Sequence, residues 1–440
     1  MKDPVQPKHP SVERIHRLHS YCARFPSVIA EAAIDEYTRV GDSVYDPFCG
    51  SGTTLVAGLA RRRRVVGSDI DILAGMLSEI KCSPLSSGNY TSWRRRFGLS
   101  LSELFREIRT NWPPERSPRP GQLLHVGTLS LQIPQLSQLN YWFPPQLIAY
   151  LAVISQAAHR CRSPHYEQVA LVSLSAAIIA KWPKSLSYAM DIDHTRPHRR
   201  IQRFSGKRIL AEYLERLDRT IASLGELHLI YSQAGILPGL PSAARVVCPH
   251  DARTPLPGIC RDSQALVVTS PPYFSAVDYP RAHRLSVCWM NGHEPSDLAS
   301  RRQYIGLRHP GAFEPSEWLA DRKPIRRLIP IGLEDRRRSK LVTFFADLDV
   351  VLKETWQVLR PGGRAVFVIG DNTVAGHRIK SHEVLAHLAL AQGFEEIHRR
   401  PRVIARVRRR FPVGKFGFDG PMTNEHVLVF RKMLSGAGAR

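Results

Sequence analysis

The sequence predicts an α/β fold, a doubly wound parallel sheet interrupted by a largely helical insertion, and three stretches predict it. Ser43-Val44-Tyr45 reads as a strand entering a glycine loop at 46–54, which leads into the amphipathic segment Leu55 to Leu59. A second run from Arg64 to Gly67 ends near the carboxylate Asp69, about where a doubly wound fold holds an acid that binds ribose. Leu266 to Thr269 is a buried-type strand that stops abruptly on Ser270-Pro271-Pro272-Tyr273. Between these stretches, residues 81–242 form a segment that the minimal fold does not need.

The 440 residues suffice for two or three domain-sized units, and a hydrophobic content of 43% is ample for their cores. Lys and Arg outnumber Asp and Glu by 62 to 39, a formal charge of +23, which favours a polyanionic partner, nucleic acid first. No apolar run approaches the roughly 18 residues of a membrane span, so the expectation is a soluble, cytoplasmic protein with no membrane partner. The seven cysteines are scattered without a Cys-x-x-Cys pair, which supports neither a disulfide framework nor a zinc module.

Taken in order, residues 1–25 read as a polar arm. After Pro26 the apolar positions Val28, Ile29, Ala32, Ala33 and Tyr37 recur at helical spacing. In the loop Asp46-Pro47-Phe48-Cys49-Gly50-Ser51-Gly52-Thr53-Thr54, glycines let the backbone approach a ligand and the following helix offers free amides. The loop is not Gly-x-Gly-x-x-Gly, and it opens with an acid. Asp46 repels a pyrophosphate and suits a cationic cofactor; its alternative reading is a helix cap. Within 81–242, Trp93-Arg94-Arg95-Arg96 and the Pro-rich 113–120 read as surface loop, whereas Leu147 to Ile154 and Val169 to Ile179 read as apolar helices. The stretch 191–200 is dense in groups that contact phosphate or base edges, with His194, Arg196 and Arg199 as candidates. Asp191, Asp193, His194 and His198 are alternatively metal ligands, although their spacing is looser than that of oxygen-rich metal loops.

The core resumes with Ala244 to Cys248 and the acid Asp251, which is otherwise a turn residue before Pro255. At the tip, Pro271 and Pro272 fix φ and remove two donors, leaving carbonyls free to accept from an amine, and Tyr273 offers a face for stacking. Residues 274–340 interleave Arg281, His283 and Arg284 with Tyr279, Trp289 and Tyr304, a composition suited to gripping a strand and stacking on bases. The spacing from Leu341 to Leu359 predicts a helix stopped by Pro361-Gly362-Gly363. Arg364 to Ile369 reads as a strand, His382 to Ala391 as a helix, 399–410 as a hairpin edge or a DNA-contacting loop, and Val427 to Phe430 as a terminal strand.

Asp-Pro-Phe-Cys-Gly-Ser-Gly-Thr-Thr at 46–54 resembles the cofactor loop of the S-adenosylmethionine-dependent DNA amino-methyltransferases, and Ser-Pro-Pro-Tyr at 270–273 resembles their catalytic motif. The resemblance implies a Rossmann-like, seven-stranded class I methyltransferase sheet and S-adenosylmethionine as cofactor. It implies cofactor contacts from Asp46, Phe48, Gly50, Ser51, Gly52, Thr53 and Asp69, from Asp251 to the adenine amine, and from Phe25 or Arg24 of the arm. The catalytic residues it implies are Ser270, Pro271, Pro272 and Tyr273. DNA is the implied partner, with Arg281 and Arg284 as further contacts and a cognate restriction endonuclease as a candidate second partner. The cofactor loop precedes the catalytic motif, the reverse of the best-known Ser-Pro-Pro-Tyr enzymes.

On this reading residues 1–80 hold the arm and the first part of the core, 81–242 the helical insertion, 243–434 the rest of the core, and 435–440 a tail. An exocyclic amine is a poor nucleophile because its lone pair is delocalised into the ring. Acceptors at Ser270 Oγ and the Pro271 carbonyl would free that lone pair and aim it. Carbon-5 methylation calls for a cysteine in a Pro-Cys pair, and the sequence has none. Serine at the first motif position resembles the N4-cytosine branch. N6-adenine methylation, RNA amine methylation and catalytically silent nucleic-acid binding are the alternatives.

Overall fold

The computed structural model describes residues 15–16, 18–22, 24–113, 117–180, 183–189, 204–274, 277–293, 303–307, 314–404 and 424–433. Seven strands form one sheet: β1 (Ser43–Asp46), β2 (Arg64–Ser68), β3 (Ala244–Val247), β4 (Gln264–Thr269), β5 (Leu359–Gly370), β6 (Phe394–Val403) and β7 (Asn424–Lys432). Their spatial order is β3-β2-β1-β4-β5-β7-β6. The first five are parallel, and β7 runs antiparallel to both β5 and β6. The chain moves outward one way from β1 and the other way from β4, so the switch point lies between those two strands. A crevice outside their carboxyl ends is the natural ligand site of such a sheet.

β4 is buried along its whole length, because helices cover both faces of the sheet, and its apolar run is correspondingly continuous. Leu266 and Val268 meet α1 (Ser27–Tyr37) through Ile29, Ala33 and Ile34. Val267, on the opposite face, joins the cluster built by α9 (Asp335–Val358) and α10 (Ser381–Ala391). The alternation is the period of two of a strand. α9 starts before Leu341, and Pro361-Gly362-Gly363 lies inside β5 rather than ending the helix; Gly362 takes φ +76 there, beside an irregularity in the β4–β5 register.

α2 (Thr53–Leu59) and α3 (Ile72–Cys82) follow the first two strands. The insertion contributes α4 (Ser87–Asn111), α5 (Pro145–His159), α6 (Pro164–Ile178) and α7 (Gly206–Gln233), with a short ribbon of 123–126 against 129–132. Trp93-Arg94-Arg95-Arg96, expected as loop, lies inside α4. Trp93 is buried in line with Tyr90, Phe97, Leu101 and Phe105, and Arg94 pairs with Asp218 of α7 at 2.6 Å. These helices share one apolar cluster with Leu73, Leu77 and Ile80 of α3 and with Leu285 and Trp289 of α8 (Tyr279–Asn291). Trp289 is only 2% exposed and packs edge-on against Phe143, so it does not offer a face to a base.

Candidate active site

β1 and β4 are hydrogen-bonded neighbours, with Val44 opposite Leu266 and Tyr45 opposite Val267. The loop leaving one and the tip leaving the other therefore emerge side by side. Two bonds stitch them together: Thr269 Oγ1 donates to Asp46 Oδ1 at 2.6 Å, and Thr54 Oγ1 donates to the Val268 carbonyl at 3.2 Å. Gly50 and Gly52 take φ of +50 and +81, the left-handed region that glycine enters without a steric penalty. A Cβ on Gly52 would lie 3.0 Å from Ser78 Oγ, so the loop hugs α3. Lys81, buried at the end of α3, donates to the Ser51 carbonyl at 2.5 Å and braces the loop from below.

Carboxylates ring the crevice. Asp69 accepts from the amides of Gly50 at 2.8 Å and Asp71 at 3.0 Å, yet burial, and next the Asp71 charge, push its carboxyl up to about 7. Asp46 is fully buried behind the loop, and that burial raises it to about 6 against the bonds it accepts. Burial also opposes ionisation of Asp251, but the Arg253 guanidinium at 2.6 Å holds it below the ordinary carboxylate range. Arg253 is itself fixed by Asp347 at 3.0 Å.

The crevice is a cleft partly open to solvent. Phe48, Gly50, Asp69, Asp251, Ser270 and Pro272, all singled out in the sequence, line it together. Asp46, Ser51 and Thr53 are buried and stand behind that lining with Gly52. Phe25 packs beneath α1 with Ile29 and Val268; the arm residue on the cleft wall is Tyr21. Asp71, Tyr279 and Tyr304 also line the cleft and were not assigned to it from the sequence. For Asp71 a signal existed: an acid directly before an apolar helical run is a cap, and its side chain accepts from Ala74 N at 3.1 Å. The tyrosines follow no motif.

Residues 4–77 match the family model described as N6/N4 DNA methylase. Over that stretch the chain is similar to the amino-methyltransferases of that family. It is 24% identical over 452 residues to the type II methyltransferase M.MvaI of Kocuria varians, an alignment spanning 96% of this chain and 92% of that relative. The type II methyltransferase M.MjaI of Methanocaldococcus jannaschii is 38% identical over 63 residues, 14% of this chain and 19% of that protein. Among solved structures, a SAM-dependent methyltransferase from Methanosarcina mazei aligns over 91% of this chain and 97% of that one, with 11% identity and a TM-score of 0.31.

At the tip, Ser270 Oγ donates to the Val368 carbonyl at 3.0 Å and lies 3.4 Å from the Tyr273 hydroxyl. Tyr273 packs against the α9 side of the core, with its hydroxyl 3.4 Å from Glu425, and neither it nor Pro271 lines the cleft. His194, Arg196 and Arg199 lie outside the described residues, as do Asp191, Asp193 and His198. Arg281 and Arg284 sit on α8, where the Asp278 carboxylate accepts from the Arg281 amide at 3.1 Å and the Arg284 guanidinium lies over the Trp142 ring at 5.0 Å.

Among the described residues, Asp371, His382 and His426 bring potential ligand atoms within 4.8 Å of one another. The two imidazoles stack at 3.5 Å and 7°, so their in-plane lone pairs lie in two parallel planes rather than in one. The two oxygens of Asp371 are already engaged by His382 at 2.6 Å and Arg378 at 3.1 Å. The cluster is a hydrogen-bonded brace beside the tip. No helix of the described residues is long and apolar enough to cross a membrane.

Proposed function

We propose that the methyltransferase acts on the exocyclic N4 amine of a cytosine flipped out of duplex DNA, with S-adenosylmethionine as donor. What carries this reading is the serine that opens the tip, placed on the same cleft as Asp69 and Asp251. The cleft suits the cofactor: left-handed glycines admit its backbone-hugging methionine end, Asp46 behind the loop contributes negative charge toward its ammonium, and Asp69 and Asp251 on the lining would answer its ribose hydroxyls and its adenine amine. Two carboxyls lifted by burial are groups that a hydroxyl donor or a cation would satisfy. When bound, the cofactor supplies an electrophilic methyl group.

The chain's own residues handle the nucleophile. Ser270 spends its hydroxyl hydrogen on the Val368 carbonyl, which leaves its oxygen as an acceptor. An amine hydrogen donated there and another to the Pro271 carbonyl would localise the nitrogen lone pair and fix its direction. No covalent intermediate is needed. Removing the base from the stack is unfavourable by a few kcal/mol, which phosphate contacts to a basic chain offset. Pairing with a restriction endonuclease of the same recognition sequence belongs to this proposal, supported by the type II relatives.

The test is to methylate duplex DNA with the purified protein, digest it, and separate the nucleosides. N4-methylcytosine is expected. N6-methyladenine alone would move the enzyme to the adenine branch, and 5-methylcytosine would overturn the acceptor chemistry altogether.

A further inference from the structure

Behind the cleft lies a buried ion pair that the chemistry above does not use. His283 of α8 and Asp71, the cap of α3, meet at 2.8 Å between Nδ1 and Oδ2, with side chains only 5% and 3% exposed. Burial alone would keep the imidazole neutral, but the Asp71 charge and the bond to it raise His283 well above its ordinary value. A buried ion pair is weak support for stability, because desolvation offsets its attraction. Position is the more informative property.

Three tyrosines of the cleft wall rest on this pair. Tyr21 places its ring centroid 4.9 Å from that of His283, Tyr279 packs edge-on at 6.0 Å, and the Tyr304 hydroxyl reaches Asp71 Oδ2 at 3.4 Å. These tyrosines come from the arm, from the start of α8 and from a loop beyond it, so no local structure aligns them. His283 Nε2 also meets Cys22 Sγ of the arm at 3.4 Å. One turn along α8, Ser286 accepts from Ser175 Oγ at 2.7 Å, and Ser175 in turn is 2.7 Å from His19 Nε2. Arm, α3, α6 and α8 are thus joined by polar contacts at one place.

We infer that the Asp71–His283 pair positions the aromatic wall of the cofactor cleft, and so couples cofactor binding to the helix that follows the catalytic tip. This rests on the cofactor reading above. His283 does not line the cleft and acts through Asp71 and the tyrosines. Without His283, α8 loses its direct contacts with Asp71 and with Cys22 and Tyr21 of the arm, and the wall that should enclose the adenosine half of the ligand is no longer held.

The test uses the full-length protein and S-adenosylhomocysteine, measured by calorimetry, so that no turnover is required. His283→Ala is expected to weaken binding by about tenfold, the coupling typical of one hydrogen-bond network. His283→Asn keeps an N–H that can reach Asp71 and should recover most of the loss, which a general packing defect would not allow. Asp71→Asn combined with His283→Ala should be little worse than the worse of the two single variants. His283→Ala binding as tightly as wild type overturns the inference, and so does a His283→Asn variant as weak as the alanine. Wild-type protein that fails to bind S-adenosylhomocysteine would instead overturn the cofactor reading, and the pair's role with it.

Discussion

At the scale of single residues, the tip and the loop carry opposite demands. On the proposed mechanism Ser270 accepts from an amine, while its hydroxyl donates to the Val368 carbonyl and lies 3.4 Å from the Tyr273 hydroxyl. Ser270→Ala loses a bond worth about 1 kcal/mol, too little to unfold the protein, while the reaction loses a positioned acceptor. A fall in kcat of about 10²–10³-fold is expected, with S-adenosylhomocysteine affinity unchanged by calorimetry; equal loss of both would make the tip structural. Asp46 and Asp69 impose a pH dependence. With their carboxyls at about 6 and about 7, both are largely protonated in the free protein at acidic pH. A cationic or hydroxyl-donating ligand favours the charged form, so binding must release protons, and affinity should rise from about pH 5 to about pH 8. For the free fold the sign is reversed. A raised acid stabilises below its unfolded value near 3.8 and loses that contribution as pH climbs through 6 and 7. Titrations in two buffers of different ionisation enthalpy will register the released protons; identical heats would contradict this account.

At the scale of elements, what was legible depended on how local the signal was. The strand, glycine loop, helix and second strand of residues 43–68 declare themselves through glycines and β-branched runs, and they fold as expected. α4 and α7 were missed although their buried positions, Tyr90, Trp93, Phe97, Leu101, Phe105 and Ile108 in one and Ile209, Tyr213, Leu217, Thr220, Leu224 and Leu227 in the other, keep steps of three and four. The arginine triplet at 94–96 obscured the first, whose exposed face is strongly polar. The Asp71–His283 contact joins residues 212 positions apart, and no spacing rule reaches so far. Phe25 packs with α1 while Tyr21 lines the cleft, a distinction between neighbouring rings that a resemblance does not resolve. Close packing between elements gives a further prediction. A Cβ on Gly67 of β2 would stand 2.7 Å from Leu55 Cδ1 and 3.0 Å from Cys49 Cβ. Gly67→Ala should therefore destabilise by about 1–3 kcal/mol, read as a lower urea midpoint, and Leu55→Ala in the same chain should return part of it. Two additive losses would show that the clash is not the cause.

At the scale of the whole molecule, the net charge is opposite in sign to the acids gathered at the cleft. The chain carries +23, yet the end of the sheet that faces the cofactor gathers Asp46, Asp69, Asp71 and Asp251. A cationic donor would meet these acids, whereas a polyanionic target would be met by the basic residues that make up the excess charge. Salt should act on them unequally. Contacts to about six phosphates would make duplex affinity fall by roughly 10³-fold between 50 and 200 mM salt. The cofactor cleft is partly enclosed and its charges are partly buried, so the affinity for S-adenosylhomocysteine should move by less than about threefold over the same range. In steady state the difference appears as a KM for DNA that climbs steeply with salt while kcat at saturating DNA holds. A flat plot of log K against log salt for the duplex would mean that the excess charge does not meet phosphates, and that the basic composition serves something other than grip.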